Sequence, residues 1–244
     1  MNQSVGVCAV MTSHKLIVAG CSLGDRGNAN ICYGDVLSEM LDAEYIHESY
    51  GCGSNYRIWR TVTNMILDGD ISTDDTVVIQ YTATNRREFW TSNYVEPRDM
   101  VYDSAKASEH NTGIVQLVEE YKDFGYVVKY KSDAYSWQTN KDTSKFFKQY
   151  QEQFVNNEYD WDTFRVNHYN FSNMLRANNI RVVFLSMFGY SGVSMIEPYS
   201  AGYPVLRINN DQLQAEHIQE DGTHLTDAGH THVAGLIADY LKGL

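Results

Sequence analysis

Short apolar runs alternate along the chain with longer stretches in which apolar residues recur every three or four positions. The runs predict strands over residues 16–19, 43–49, 75–81, 126–131, 181–187 and 204–208. The recurring pattern predicts helices over residues 28–41, 56–67, 144–156, 161–178 and 227–241. Strands that alternate with helices indicate an α/β protein whose central sheet is mostly parallel and carries helices on both faces.

The first predicted strand ends in a turn that holds a serine between two glycines. Leu16–Ala19 leads directly into residues 20–24, which read Gly-Cys-Ser-Leu-Gly. In doubly wound sheets, ligands bind beyond the carboxyl ends of the strands, where such turns lie. Ser22 is therefore a candidate nucleophile, although a turn serine can equally hydrogen-bond its own backbone.

Near the end of the chain, an aspartate precedes a histidine by three residues in a loop before a predicted helix. Asp221 can accept a hydrogen bond from Nδ1 of His224, which leaves Nε2 to take a proton from a hydroxyl. A serine alcohol needs such a base to act as a nucleophile. Ser22, His224 and Asp221 thus supply the parts of a hydrolase triad. The alternatives are a turn role for Asp221 and a structural role for His224 at the last helix, whose predicted N-cap is Thr226.

Three sequence blocks, in the right order, resemble those of the SGNH, or GDSL-like, hydrolases. Residues 20–23 resemble the first block, with Cys21 where the family usually has Asp. Gly53 resembles the glycine of the second block, and residues 221–224 (Asp-Gly-Thr-His) resemble the last block. The resemblance implies a three-layer α/β/α, flavodoxin-like fold. It covers the sheet-forming parts of the chain and leaves out residues 86–180.

The same resemblance implies a serine esterase that works through an acyl-enzyme on Ser22, with no cofactor and no metal ion. The backbone N–H groups of Ser22 and Gly53 would bind the oxyanion. The expected substrate is a small acyl ester, and acetyl groups on a carbohydrate are the best candidate. The alternative is a catalytically weak protein of this fold that binds a glycan or serves as a structural part of a virion.

The third block of the family departs from its usual pattern in this chain. After the strand, the family shows Gly-x-Asn-Asp, and the Asn side chain completes the oxyanion hole. Here Thr82 takes the glycine place and Thr84 takes the asparagine place, while Asn85 falls one residue late. Asn85 serves if the loop is one residue longer; otherwise the third donor is Thr84 or Asn55. Loss of one donor costs about a hundredfold or more in rate.

Three short stretches are most similar to SGNH-like proteins carried by tailed bacteriophages. They are the Cys21-Ser22 pair, the loop at 53–58 (Gly-Ser-Asn-Tyr-Arg-Ile) and the Thr-x-x-x-Arg stretch at 82–86. This similarity implies a protein of the host-cell cytoplasm, with association with the virion as the alternative.

Length and aromatic content refine this picture. A chain of 244 residues most simply forms one domain, 1–244. Residues 86–180 hold 19 of the 31 aromatic residues. These aromatics are expected to pack helices onto the sheet. The alternative is that some of them line a groove for a sugar.

Charge and hydropathy exclude several kinds of partner. The net charge is −12, with 31 acidic against 19 basic residues, so nucleic acids and other polyanions are poor partners. The chain has no apolar run of about 18 residues or more, so no membrane span is expected. No basic segment precedes the short apolar patch near Met1, so no secretory signal is expected.

The cysteines and histidines offer a redox prediction and one metal alternative. No CxxC pair occurs among the four cysteines, which are Cys8, Cys21, Cys32 and Cys52. They are predicted to be free thiols in a reducing compartment, with one disulfide bond as the alternative. A metal site is a minor alternative, because residues two apart do not share a helix face. Its ligands would come from Asp221, His224, His230 and His232.

Overall fold

The central sheet has five described strands, all parallel, in the spatial order 44–49, 15–20, 76–80, 181–187 and 205–208. The structure is a computed structural model, which describes residues 14–25, 29–49, 54–82, 84, 87–90, 126–129, 157–187, 196–220, 222 and 224–243. The sheet strands are β1 (Lys15–Gly20), β2 (Glu44–Ser49), β3 (Thr76–Gln80), β6 (Arg181–Met187) and β7 (Val205–Ile208). An antiparallel pair, β4 (Arg87–Trp90) and β5 (Tyr126–Lys129), forms a second small sheet.

In the part of the chain that the structure describes, four α-helices cover the two faces of the central sheet. They are α1 (Tyr33–Leu41), α2 (Asn55–Leu67), α3 (Asn157–Ala177) and α4 (Asp227–Lys242). Alternate residues of β1 point to opposite faces: Leu16 and Val18 pack with α1 and α4, whereas Ile17 and Ala19 pack with α2 and α3. The fold is therefore the predicted three-layer α/β/α arrangement with a parallel sheet.

Burial explains why the central strands read as continuous apolar runs rather than as alternating patterns. Every residue of β3 is buried, and β6 is buried beyond its first residue. Parallel strands covered by helices on both faces have no solvated side on which polar residues could alternate. Because all five strands are parallel, the loops that follow them meet at one edge of the sheet, here called the carboxyl edge.

The structure confirms most predicted elements and moves some of their boundaries. The strand at 181–187 is found with the predicted bounds, while α3 begins at 157 instead of 161. Helix α1 begins at Tyr33 instead of residue 28, because Cys32 is its N-cap and donates its backbone N–H to the Asp35 carboxylate at 2.8 Å. Strand β4 was not predicted. The predicted helix at 144–156 lies outside the described residues.

The described part of the aromatic section contributes to the core. Phe164 and Phe171 of α3 are buried between that helix and the sheet. The Phe164 ring contacts Trp59 of α2 and Tyr81 at the end of β3, with ring centroids 5.5 and 5.1 Å apart. This packing is what the first of the two aromatic interpretations predicts.

A chain of hydrogen bonds runs through the same layer. The indole N–H of Trp59 donates to the Tyr81 hydroxyl at 3.0 Å, and this hydroxyl lies 2.8 Å from Nδ1 of His168. Nε2 of His168 lies 2.9 Å from the Ser200 hydroxyl, which donates to the carbonyl of Ile196 at 3.0 Å. Each group donates to the next if His168 is neutral, and burial lowers the pKa of His168 to about 4.

Two further expectations concern thiols and membranes. Cys21 and Cys32 are buried free thiols, as predicted, whereas Cys8 and Cys52 lie outside the described residues. Among the helices that the structure describes, none combines the length and the apolar character that crossing a membrane requires.

Candidate functional site

Ser22 lies in the turn that immediately follows β1 and is half-buried at the carboxyl edge. The backbone N–H of Gly24 donates to the carbonyl of Cys21 at 2.9 Å and closes the turn around the serine. The Cys21 side chain is fully buried and points into the fold. The turn therefore leaves the serine, and not the cysteine before it, accessible at this edge.

The two glycines of this turn are needed for close packing. A Cβ at Gly20 would lie 2.9 Å from Oε1 of Gln80, and a Cβ at Gly24 would lie 2.4 Å from Oγ of Ser49. Neither glycine has a positive φ, so the glycines are not there to form a left-handed turn. They let polar side chains of the neighbouring strands β2 and β3 support the turn from within the fold.

Gln80, the last residue of β3, is the main support of the turn. Its Oε1 accepts hydrogen bonds from the backbone N–H of Cys21 at 3.1 Å and from the Cys21 thiol at 3.3 Å. Its Nε2 donates to the carbonyl of Tyr81. Sequence reasoning did not identify Gln80. The available signal was a carboxamide at the end of an otherwise apolar buried strand, where a polar group needs partners.

His224 is half-buried in the loop that precedes α4. Its carbonyl accepts a hydrogen bond from the N–H of Gln219 at 2.7 Å, and Ile218 and Leu225 form an antiparallel bridge across the loop. Thr226 ends the loop as the N-cap of α4, as predicted, with its hydroxyl accepting from the N–H of Gly229 at 3.1 Å. The loop backbone around the histidine is thus held in place.

Hydrogen bonds join the segment after Ser22 to the start of α4. The N–H and the Nδ2 of Asn30 each donate to the Asp227 carboxylate at 2.8 Å, and these bonds lower the pKa of Asp227. The N–H of Tyr33 donates to Nδ1 of His230 at 3.1 Å. These contacts join the segment that follows the serine turn to the first turn of α4, which begins three residues after His224.

Three predicted site residues, Asp221, Gly53 and Asn85, lie outside the described residues. Of the other candidates for the third oxyanion donor, Thr84 is half-buried, whereas Asn55 is almost fully buried. Asn55 Oδ1 accepts from the N–H of Thr82 at 2.9 Å, and its Nδ2 donates to the Thr82 carbonyl at 3.0 Å. This pair of bonds ties the first turn of α2 to the loop after β3, which favours Thr84 or Asn85 as the donor.

The histidines of the metal alternative are engaged in structural contacts. Nδ1 of His230 accepts from the Tyr33 N–H, and burial lowers the pKa of His230 to about 4. Nε2 of His232 lies 2.9 Å from the carbonyl of Gln212. Within the described part of the chain, no three His, Cys, Asp or Glu side chains are grouped so that they could hold a metal ion.

A cavity of about 770 Å³ opens between the segment that follows the serine turn and the segments that flank His224. Asn30 lines it from one side, and Gln219 lines it from the other. Its ionisable lining side chains are Glu216, Glu220 and Asp227, and none of its described lining residues is basic. The ionisable side chains of the cavity are thus acidic, and more of its lining is apolar than polar.

Comparison with known proteins identifies the fold. No protein-family model matches the sequence, and no curated protein matches it. Sixteen chains of solved structures are similar in fold. One is a candidate lipolytic protein of the G-D-S-L family from Desulfitobacterium hafniense DCB-2, with a TM-score of 0.50 and 9% sequence identity over 92% of this chain and 98% of that chain. The chain therefore shares its α/β/α fold with a protein of that description.

Proposed function

We propose that the protein is a serine esterase that removes small acyl groups, with acetyl groups on a carbohydrate as the substrate. The observation that carries the proposal is the placement of Ser22 beyond the carboxyl end of a central parallel strand. The hydrogen bonds from Asn30 to Asp227, three residues after His224, support it, since they join the segment after the serine turn to the start of α4. The G-D-S-L description of the protein with a similar fold supports the same class of reaction.

In the proposed mechanism, Oγ of Ser22 attacks the ester carbonyl while Nε2 of His224 takes the hydroxyl proton. Asp221 accepts the hydrogen bond from Nδ1 and stabilises the imidazolium. The N–H groups of Ser22 and Gly53 bind the oxyanion. Collapse of the tetrahedral intermediate breaks the bond to the alcohol, which leaves with the proton from His224. Water, deprotonated by His224, then attacks the acyl-enzyme and releases the carboxylic acid.

The cavity beside His224 supports the choice of a carbohydrate. The carboxamides of Asn30 and Gln219 can donate and accept hydrogen bonds, and the carboxylates of Glu216 and Glu220 accept them, which suits the hydroxyl groups of a sugar. A negatively charged alcohol would be repelled by the carboxylates of Glu216, Glu220 and Asp227 in the same space. The expected substrate is therefore the acetyl ester of a neutral sugar.

Turnover of acetyl esters by the wild type and by two variants tests the proposal. Ser22→Ala and His224→Ala are each expected to lower kcat by about a thousandfold or more, because the nucleophile and its base act as one unit. Acetylated neutral sugars are expected to give a higher kcat/KM than acetyl esters of an anionic sugar.

Turnover that survives Ser22→Ala unchanged would contradict the proposal. Loss of activity on addition of EDTA would favour the metal alternative. Sugar binding without any turnover dependent on Ser22 would favour the role of a glycan-binding or virion protein.

A further inference from the structure

We propose that Gln80 is a positioning residue, which holds the serine turn and the loop after β3 in a fixed geometry relative to each other. The inference rests on the proposed function, since these two segments supply the nucleophile and part of the proposed oxyanion hole. Gln80 is fully buried and lies beneath both segments. It acts through the backbone of its neighbours and does not itself touch the substrate.

On the side of the serine turn, Gln80 fixes the residue that precedes the nucleophile. Its Oε1 accepts a hydrogen bond from the backbone N–H of Cys21 at 3.1 Å, and Cys21 directly precedes Ser22. Gly20 permits this contact, because a Cβ there would lie 2.9 Å from the same oxygen. The hydrogen bond anchors Cys21, and the next peptide, Cys21–Ser22, sets the direction of the Ser22 N–H. The carbonyl of that peptide accepts from the Gly24 N–H at 2.9 Å, so the peptide is held at both ends of Cys21.

On the side of the loop, Gln80 donates from Nε2 to the carbonyl of Tyr81. The next residue, Thr82, is held at both its N–H and its carbonyl by Asn55. Asn55 is the first residue of α2 and follows the proposed oxyanion glycine, Gly53, by two positions. The two carboxamides thus link the segments that follow β1, β2 and β3.

The chemistry of the position requires a side chain that both accepts and donates. Cys21 offers an N–H, and Tyr81 offers a carbonyl, so a carboxamide in one orientation satisfies both. Preorganised donors stabilise an oxyanion only where they already point at it, and a shift of about 1 Å can cost about a hundredfold in rate. Loss of Gln80 is therefore expected to lower kcat while substrate binding in the cavity is retained.

The test compares Gln80→Met with Val78→Ala in the full chain, with p-nitrophenyl acetate as substrate. The methionine side chain has a similar volume to glutamine and makes neither hydrogen bond. Val78 is buried on the same face of β3, two residues before Gln80, so Val78→Ala loosens the same core without touching the turn. Gln80→Met is expected to lower kcat about 10- to 100-fold with KM changed less than about twofold. Val78→Ala is expected to lower the Tm and to leave kcat within about twofold of the wild type.

Gln80→Glu gives an independent readout if Gln80→Met does not fold. A protonated carboxyl group accepts from Cys21 and donates to Tyr81, as the carboxamide does, whereas the carboxylate can only accept. The kcat of Gln80→Glu, as a fraction of the wild-type value at the same pH, is therefore expected to rise as the pH falls from 8 to 6. A purely structural role for Gln80 would leave this ratio flat.

The outcomes separate the two proposals. Suppose that the wild type hydrolyses the ester through Ser22. If Gln80→Met then has the same kcat as Val78→Ala, or if the kcat of Gln80→Glu relative to the wild type does not change with pH, only the inference about Gln80 is overturned. If the wild type shows no turnover that depends on Ser22, the proposed function fails, and the inference fails with it.

Discussion

At the scale of single residues, the turn around Ser22 depends on the absence of side chains at its two glycines. Gly20 and Gly24 make room for Gln80 and Ser49, whose polar atoms lie under the turn. The sequence shows glycines in this turn but does not show which side chains they accommodate. Those side chains come from the adjacent strands β2 and β3, which pair with β1.

Gly20→Ala is expected to lower both stability and activity. The added methyl group would lie 2.9 Å from Oε1 of Gln80, so that carboxamide must move away from the Cys21 N–H. Overpacking of this kind costs about 1–3 kcal/mol of unfolding free energy, measurable by urea denaturation.

Gly235→Ala is the matched control for this substitution. Gly235 lies within α4, and among the described residues outside its own helix turn, no atom lies within 4 Å of a Cβ added there. This control is expected to raise the unfolding free energy by about 0.5–1 kcal/mol, because alanine favours the helix. Equal stability changes in the two variants would contradict the close-packing account of Gly20.

The sequence points to candidate chemical groups more readily than to the residues that support them. Ser22 and His224 stand out because a glycine turn after a strand and an Asp-x-x-His loop before a helix have local signals. Gln80 shows only a carboxamide at the end of an apolar strand, and nothing local shows the partners of Gln80 and Asn55. The bond from Cys21 to Gln80 spans 59 positions, and that from Asn55 to Thr82 spans 27. Strand order determines those contacts, and the strand order is not contained in any local pattern.

At the scale of elements, the start of α4 matters because it follows the His224 loop directly. Thr226 accepts from the N–H of Gly229 at 3.1 Å and donates to the carbonyl of Glu216 at 2.6 Å. It thus caps the helix and fastens the preceding segment in one position. The sequence predicted this cap, because a threonine before an acidic first turn is a typical helix start.

Thr226→Ala is expected to destabilise the protein by about 1 kcal/mol, because the capping hydrogen bond is lost. Thermal and urea unfolding measure this change. Thr231→Ala is the control, since the Thr231 hydroxyl bonds to the carbonyl of Asp227 within the same helix, at an exposed site. Alanine there is expected to be neutral or slightly stabilising. A Thr226→Ala variant as stable as the control would show that the cap contributes little.

Other elements were predicted in type and missed at their ends. The helix predicted from residue 28 begins at Tyr33, because Cys32 is its N-cap, and Asn30 before the cap bonds instead to Asp227. Strand β4 was missed because its four residues begin with the charged pair Arg87-Glu88 and show no strand pattern. Contacts between distant segments decided both cases, and local propensity cannot predict such contacts.

At the scale of the whole molecule, two buried histidines lie in opposite layers of the fold. His168 lies between α3 and the sheet, and His230 lies between α1 and α4. Burial lowers the pKa of each to about 4, from an ordinary value of 6.5. Both are therefore neutral in the folded protein at pH values where they are protonated in the unfolded chain.

The free energy of unfolding is expected to fall as the pH decreases from about 6.5 to about 4. Between these values the unfolded state binds more protons than the folded state, so acid favours unfolding. Each histidine contributes up to about 3 kcal/mol over the full range. Urea denaturation of the wild type, His168→Gln and His230→Gln at pH 7 and pH 5 measures the effect. The pH dependence should become weaker in each variant, and an unchanged dependence in both would contradict this assignment.

The central claim is that Ser22 is a nucleophile activated by His224, and covalent labelling tests it most directly. A fluorophosphonate probe is added to the wild type, Ser22→Ala and His224→Ala, and the labelled peptide is identified by mass spectrometry. The account predicts one adduct, on Ser22, that is absent from Ser22→Ala and forms much more slowly in His224→Ala. An unlabelled wild type, or labelling that persists in Ser22→Ala, would contradict it.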